Sequence, residues 1–167
     1  MTPQRILHPL LMDRHYWRNR LQEQRLTRHG LMIVPRPDLS GAGCDVQEIR
    51  FRAHDGLRLW GLLARCPLFQ QARPVRLRMI GPCDAPAIDR TCIEAGSVDL
   101  VLQVPAGRRL EDRVLDVLRM FEVIESLEGV DAARISLADR ADGDRPDEFL
   151  IANQLRAGGL GGRCQGK

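Results

Sequence analysis

Apolar and polar positions alternate in the middle of the chain as they do in a two-stranded hairpin. Val46–Ala53 alternates in its second half, and Leu57–Cys66 returns after the turn sequence His54-Asp55-Gly56. Two such segments joined by Asp-Gly predict an antiparallel β-hairpin. Later apolar segments of strand length predict three more strands, which are Val75–Ile80, Ser97–Val104 and Arg134–Ala138.

Helical periodicity separates these later strands. Leu110–Leu127 carries apolar residues at i, i+4, i+7 and i+8, which predicts a helix with one buried face. Polar residues are assigned to its outer face, and they are Glu111, Asp112, Arg119, Glu122 and Glu125. Shorter helices are predicted over Ala85–Ala95 and from about Pro146 to Ala157. This alternation predicts an α/β domain with a mostly parallel sheet after the hairpin and helices on both faces.

The first 30 residues are rich in Arg and His, and apolar residues recur among them at roughly helical spacing. They predict one or two helices with a stripe formed by Ile6, Leu10 or Leu11, Trp17, Leu21 and Leu26. A basic amphipathic helix binds nucleic acid or an anionic surface in some proteins and docks on its own domain in others. Docking is favoured because no stacking aromatics or Gly-rich loops accompany the charge. The predicted organisation is a basic helical arm and linker (1–43), an α/β domain (44–157) and a disordered Gly-rich tail (158–167).

Composition narrows the class of protein further. The chain has 167 residues, 44% hydrophobic and 28% charged, with a net charge of +3, which is typical of one soluble domain. Its five cysteines form no C-x-x-C pair and indicate reduced thiols in a cytoplasmic protein. No stretch approaches the ~20 apolar residues of a membrane span. No cofactor is predicted.

An acidic turn precedes the last predicted helix. Asp139, Asp142, Asp144 and Asp147 lie close together, and oxygen ligands of this kind bind hard cations. Their spacing differs from the calcium-loop pattern, and two arginines are interleaved with them. A solvated acidic turn is therefore favoured, and no metal site is predicted.

The strand, turn and helix over residues 130–152 resemble the nucleophile elbow G-x-S-x-G of α/β-hydrolases. Aligned with that pattern, the first Gly becomes Asp139, the Ser becomes Ala141, and the last Gly is Gly143. Two other phrases, EIRFRAHDGLRLWGLLARCP and EAGSVDLVLQVPAG, add to the likeness. The chain is similar to the α/β-hydrolase superfamily, in particular its acetyl xylan esterase and dienelactone hydrolase-like branches. The resemblance implies a partial α/β-hydrolase-like sheet over residues 46–157.

Catalysis in that family needs a Ser nucleophile, a His general base and an acid. The resemblance places Ala141 where the Ser belongs, and the histidines (His8, His15, His29 and His54) all precede the elbow. The family's later strands, which carry the acid and the base, have no counterpart here. The expectation is a truncated, catalytically inactive relative, with His54 as a surface turn residue.

Two classes of function stay open. The strand before the elbow would become an exposed sheet edge, which must be paired or covered. The first prediction is an interaction module that forms a homodimer or joins a larger assembly through this edge, or whose basic arm covers the edge. The alternative is an esterase whose substitute site combines Cys83 with His8, His15 or His29 across an oligomer. Nucleic-acid or anionic-lipid binding by the arm is a third, weaker idea.

Overall fold

The computed structural model describes residues 13–26, 28–138 and 147–157, with the side chains of residues 14 and 25 excepted. Its elements, in chain order, are α1 (Arg14–Leu26), β1 (Met32–Pro35), β2 (Asp45–Arg52), β3 (Arg58–Arg65), β4 (Arg73–Ile80), α2 (Arg90–Glu94), β5 (Val98–Gln103), α3 (Leu110–Ser126), β6 (Val130–Leu137) and α4 (Asp147–Ala157). None of these helices is long and apolar enough to cross a membrane.

The strands form one mixed sheet in the order β1-β2-β3-β5-β4-β6. β1, β2, β3 and β5 pair antiparallel in turn, whereas β4 pairs in parallel with both β5 and β6. The predicted hairpin and the parallel later strands are confirmed, but the sheet is less parallel than predicted. β1 was not predicted, since four residues ending at a proline give no clear alternation, and such a strand is tolerated at an edge.

The main core lies between one face of the sheet and three helices. Val75, Leu77, Leu100 and Leu102 of β4 and β5 pack there against the buried side of α3. Apolar residues of α1 and α4 belong to the same core, and they are Trp17, Leu21, Phe149, Ile151, Ala152 and Leu155. The predicted arm therefore contributes a helix to the core of the α/β domain.

The opposite face of the sheet carries a smaller core under α2. It contains Cys44, Val46, Leu62, Ala64 and Ile93. The predicted helix over Ala85–Ala95 forms only from residue 90, because Asp89 caps it by accepting hydrogen bonds from the backbone N–H groups of Thr91 and Cys92. Helices thus lie on both faces, as predicted, but this second layer is thin.

Two side-chain exposures differ from the predicted amphipathic patterns. Arg119, assigned to the outer face of α3, is 2% exposed, and its Nη2 donates to the backbone carbonyl of Gln24 in α1 at 2.7 Å. The packing of α1 on α3 buries part of the face that periodicity assigns to solvent. Trp17 and Leu21 are buried as predicted, but Leu26, the last residue of α1, is exposed. Ile6, Leu10 and Leu11 lie outside the described residues.

Candidate functional site

The candidate site lies at the end of the sheet formed by the carboxyl ends of the parallel strands. β4 leads there into the turn Gly81–Asp84, and β6 leads into residue 138. Trp60, near the start of β3, lies opposite Gln103, the last residue of β5, so the β2–β3 turn lies at the same end of the sheet. Ligands of open α/β sheets bind at the carboxyl ends of the strands because loops from several strands converge there.

The turn after β4 is closed by its own hydrogen bonds. The backbone N–H of Gly81 donates to Oδ2 of Asp84 at 2.8 Å, and the Asp84 N–H returns to the Gly81 carbonyl at 3.2 Å. From the neighbouring strand, Nε2 of Gln103 donates to the Pro82 carbonyl at 3.0 Å. The turn holds Cys83 at the protein surface as an exposed, free thiol.

A largely buried ion pair holds the segment between this turn and α2. Asp99, in β5, is fully buried, and its carboxylate accepts hydrogen bonds from Nε and Nη2 of Arg78 at 3.0 and 2.5 Å. The same carboxylate accepts the backbone N–H of Asp89 at 2.8 Å, and Arg78 also donates to the carbonyl of Ala87. Ala87 and Asp89 are thereby held on the sheet by a bidentate pair in which Asp99 is fully buried and Arg78 is 22% exposed.

A second charged cluster lies under the β2–β3 turn. Nε2 of His54 is 3.2 Å from Oδ1 of Asp112, and its Nδ1 is 3.8 Å from Oδ1 of Asp116. Arg108 reaches the Asp116 carboxylate through Nε at 2.6 Å and through Nη2 at 2.9 Å. Its Nη1 also bonds Asp55 at 2.7 Å. The cluster joins the hairpin to the start of α3.

Burial controls the protonation of this cluster. Desolvation raises the pKa of Asp116 to about 6, although Arg108 opposes the shift. Desolvation also lowers the pKa of His54, while the nearby carboxylates of Asp55 and Asp112 act in the opposite direction. His54 is therefore neutral at pH 7. The ring of His54 joins the β2–β3 turn to α3 through its contacts with Asp112 and Asp116.

The Asp116 shift predicts a pH dependence of stability. Because the pKa of Asp116 is raised in the folded state, the folded protein binds a proton that the unfolded chain lacks between about pH 4 and 6. The stability gained from this proton is lost as the pH rises through 6. The substitution Asp116→Asn removes this titration. We expect the free energy of unfolding of wild type, relative to D116N, to increase by about 1 kcal/mol from pH 7 to pH 5.

Urea unfolding of both proteins at the two pH values measures this difference. His54 is buried in both proteins, so the part of its contribution that comes from desolvation, which has the opposite sign, is common to both. A difference that stays constant or decreases on acidification contradicts the raised pKa.

The predicted site residues are not brought together in the described part of the chain. Asp139, Ala141, Gly143 and His8 lie outside it. His15 is exposed on α1, and His29 is half-buried, with Nδ1 accepting the Leu31 N–H at 3.2 Å. Neither makes a hydrogen bond with Cys83 among residues 13–138.

The interpretation of His54 as a surface turn residue was wrong. It lies in the turn, but Asp112 and Asp116 of α3 enclose it. Those carboxylates are four residues apart and share one helix face, and this spacing was the available sequence signal.

Of the acidic turn, Asp139, Asp142 and Asp144 lie outside the described residues, and Asp147 begins α4. No group of three or more potential ligands in residues 13–26, 28–138 and 147–157 could hold a metal ion.

Comparison with solved structures identifies the fold. An acetyl xylan esterase from Paenibacillus sp. R4 superposes with a TM-score of 0.64 at 16% identity, covering 74% of this chain and 50% of that one. Acetyl xylan esterase 1 from Thermoanaerobacterium sp. JW/SL YS485 gives 0.67 at 14% identity, with coverage of 84% and 53%. A glucuronoyl esterase from Solibacter usitatus gives 0.51 at 11% identity, with coverage of 66% and 45%.

These likenesses confirm the predicted architecture. The chain has part of the α/β-hydrolase fold, and it spans about half the length of the esterases that it matches. No family model and no curated protein matches the sequence. At such low identity the comparison establishes the fold and leaves the activity to be argued from the chain's own residues.

Proposed function

We propose that this chain is a non-catalytic α/β-hydrolase-like protein that self-associates through the outer edge of β6. The observation that carries the proposal is that β6 is the last strand of the sheet, with no described strand on its far side. In the complete fold, further strands continue the sheet from this edge. A second copy of the chain supplies an equivalent strand.

The absence of catalysis is inferred from the residues at the candidate site. Ala141 occupies the nucleophile position of the elbow pattern and has no hydroxyl group. His54 is held by carboxylates in a buried cluster. The exposed thiol of Cys83 has no histidine within hydrogen-bond distance among the described residues, so it lacks the base that would activate it.

The backbone of β6 supports pairing along its outer side. The N–H of Ala138 donates inward to the Leu77 carbonyl at 2.8 Å. Since backbone groups alternate between the two sides of a strand, Ile135 and Leu137 direct their N–H and C=O groups outward. Unpaired groups of this kind form a template for another strand.

A bulge limits where a partner can pair. Pro74 lies opposite Asp131, but the next residue, Val75, lies opposite Ile135, so the intervening residues leave the ladder. Asp131 and Arg134 form an ion pair at this bulge. Bulges and charged side chains blunt a sheet edge. The proposed contact therefore runs from Ile135 onward, and a two-fold axis there would join two sheets into one.

A proline at position 135 tests this contact. Ile135→Pro removes an outward N–H without removing a hydrogen bond to β4, so we expect the wild type to be a dimer and the variant a monomer. Light scattering behind size exclusion measures both masses. Ile135→Ala is the matched control: it loses the same side chain, which packs on the core, but keeps the N–H, and it should remain dimeric. A monomeric wild type or a dimeric I135P contradicts the proposal.

The alternative function is an esterase with a substitute site. It is favoured by the likeness to esterase structures and by the exposed thiol of Cys83 at the candidate site. Hydrolysis of p-nitrophenyl acetate that is lost in Cys83→Ser would establish this alternative. A rate equal to the buffer background is the result that the non-catalytic proposal requires.

A cytoplasmic location remains part of the proposal. Cys44, Cys66, Cys83 and Cys92 are free in the structure. Free thiols, one of them exposed, suit a reducing compartment.

A further inference from the structure

A cleft opens at the other end of the sheet, away from the candidate site. It has a volume of about 460 Å³ and lies between the end of β3, the start of β4 and β5, and the turn before β6. This volume falls within the range of pockets for small ligands. Two arginines line it, Arg65 and Arg73, and neither forms an ion pair with any described residue.

Arg65 is positioned by the turn before β6. Its Nη1 donates to the carbonyl of Glu128 at 2.7 Å. Gly129 has a φ of +74°, and a Cβ at this position would lie 3.3 Å from Nη1 of Arg65. The turn therefore leaves room for the guanidinium, whose other N–H groups have no hydrogen-bond partner among the described residues.

Arg73 is positioned by stacking. Its guanidinium carbon lies 3.9 Å from the centre of the Phe69 ring, which is a cation–π contact. Its Nε is buried and has no hydrogen-bond partner in the described part of the chain. An oxyanion in the cleft would balance the guanidinium charge of Arg73, which has no ion pair with a described residue.

The charges around the cleft leave both guanidinium groups available. Asp45 and Glu128 also line it, but their side chains are exposed and neither carboxylate lies within 4.0 Å of an arginine nitrogen. Arg65 and Arg73 end or begin strands that are separated by β5 alone, so their backbones are roughly 10 Å apart. Arginine side chains at that separation can converge on one anionic group.

We propose that this cleft binds a small organic anion whose carboxylate or phosphate lies between the guanidinium groups of Arg65 and Arg73. Guanidinium forks match the geometry of both groups. Phe69 supplies an apolar wall for the rest of the ligand, and the side chains of Gln70 and Ser97 supply polar contacts. This inference does not depend on pairing at β6 or on the absence of catalysis.

Calorimetric titration of the full chain with phenyl phosphate and with benzoate, at low ionic strength, tests the site. We expect saturable binding of at least one probe, and the tighter one identifies the preferred oxyanion. Arg65→Gln and Arg73→Gln should each weaken binding at least tenfold. Arg58→Gln is the matched control, since Arg58 is exposed at the other end of β3 and also has no ion pair among the described residues. The affinity of R58Q for the probe should stay within twofold of the wild-type affinity.

Backbone NMR of the wild type gives a test that needs no variant. The preferred probe should shift the amide signals of Ser97 and Gly129 and leave those of the β2–β3 turn unchanged. Failure of both probes to bind saturably overturns the proposal. So does binding that survives in R65Q and R73Q, or shifts confined to other regions of the chain.

Discussion

Replacing Gly61 with alanine is expected to lower the free energy of unfolding by about 3 kcal/mol. A Cβ at this position would lie 2.3 Å from the backbone carbonyl oxygen of Val101, across the β3–β5 pair. The contact is with backbone, so no side-chain rotation relieves it, and the two strands must separate. Urea unfolding gives the loss directly, and the melting temperature should fall by roughly 10 °C.

Gly41→Ala is the control for adding a methyl group to a glycine. A Cβ there would lie 3.5 Å from Nη2 of Arg90, an ordinary contact, so its stability should stay within about 0.5 kcal/mol of wild type. If G61A were as stable as G41A, the close approach of β3 and β5, and with it the strand order at the centre of the sheet, would be contradicted.

Replacing Asp99 with leucine is the second large effect, a loss of about 3 kcal/mol. The substitution leaves the Arg78 guanidinium without its carboxylate and the Asp89 N–H, just before α2, without its acceptor. Breaking a largely buried pair from one side costs more than the pair contributes, because the Arg78 guanidinium, whose side chain is 22% exposed, stays only partly hydrated and without a counter-charge.

The double variant Arg78→Met with Asp99→Leu separates the pair from the packing. Removing both charges should recover about 2 kcal/mol relative to D99L, as for other buried pairs replaced by apolar residues. Urea unfolding of wild type, both single variants and the double variant gives the coupling. Stability losses that simply add would mean that Arg78 and Asp99 act independently, which contradicts the bidentate contact.

The sequence predicts local elements of this fold well. The β2–β3 hairpin is visible because its turn and both strands are contiguous, and α3 is visible because its apolar face repeats over 17 residues. The order of β4 and β5 within the sheet could not come from periodicity. It depends on which strands pair across the sheet, and no local pattern in the sequence records that pairing.

The contacts at the candidate site depend on that order. Asp99 and Arg78 are 21 residues apart and meet only because β4 and β5 are neighbours. His54 and Asp116 meet only because the hairpin turn lies over the start of α3. An isolated His in a turn has no local signal that predicts its burial. The degenerate elbow predicted at Ala141 is the opposite case, since that prediction is local to the sequence and lies outside the described residues.

Amide hydrogen exchange at Ile135 and Leu137 tests the central proposal most directly. In the associated protein these two N–H groups should exchange slowly, because each donates to a strand of the partner copy. On dilution to monomer, both N–H groups should exchange at least tenfold faster. A dimer in which both amides exchange as freely as in the monomer would contradict the account, because the copies would then meet at a surface other than the edge of β6.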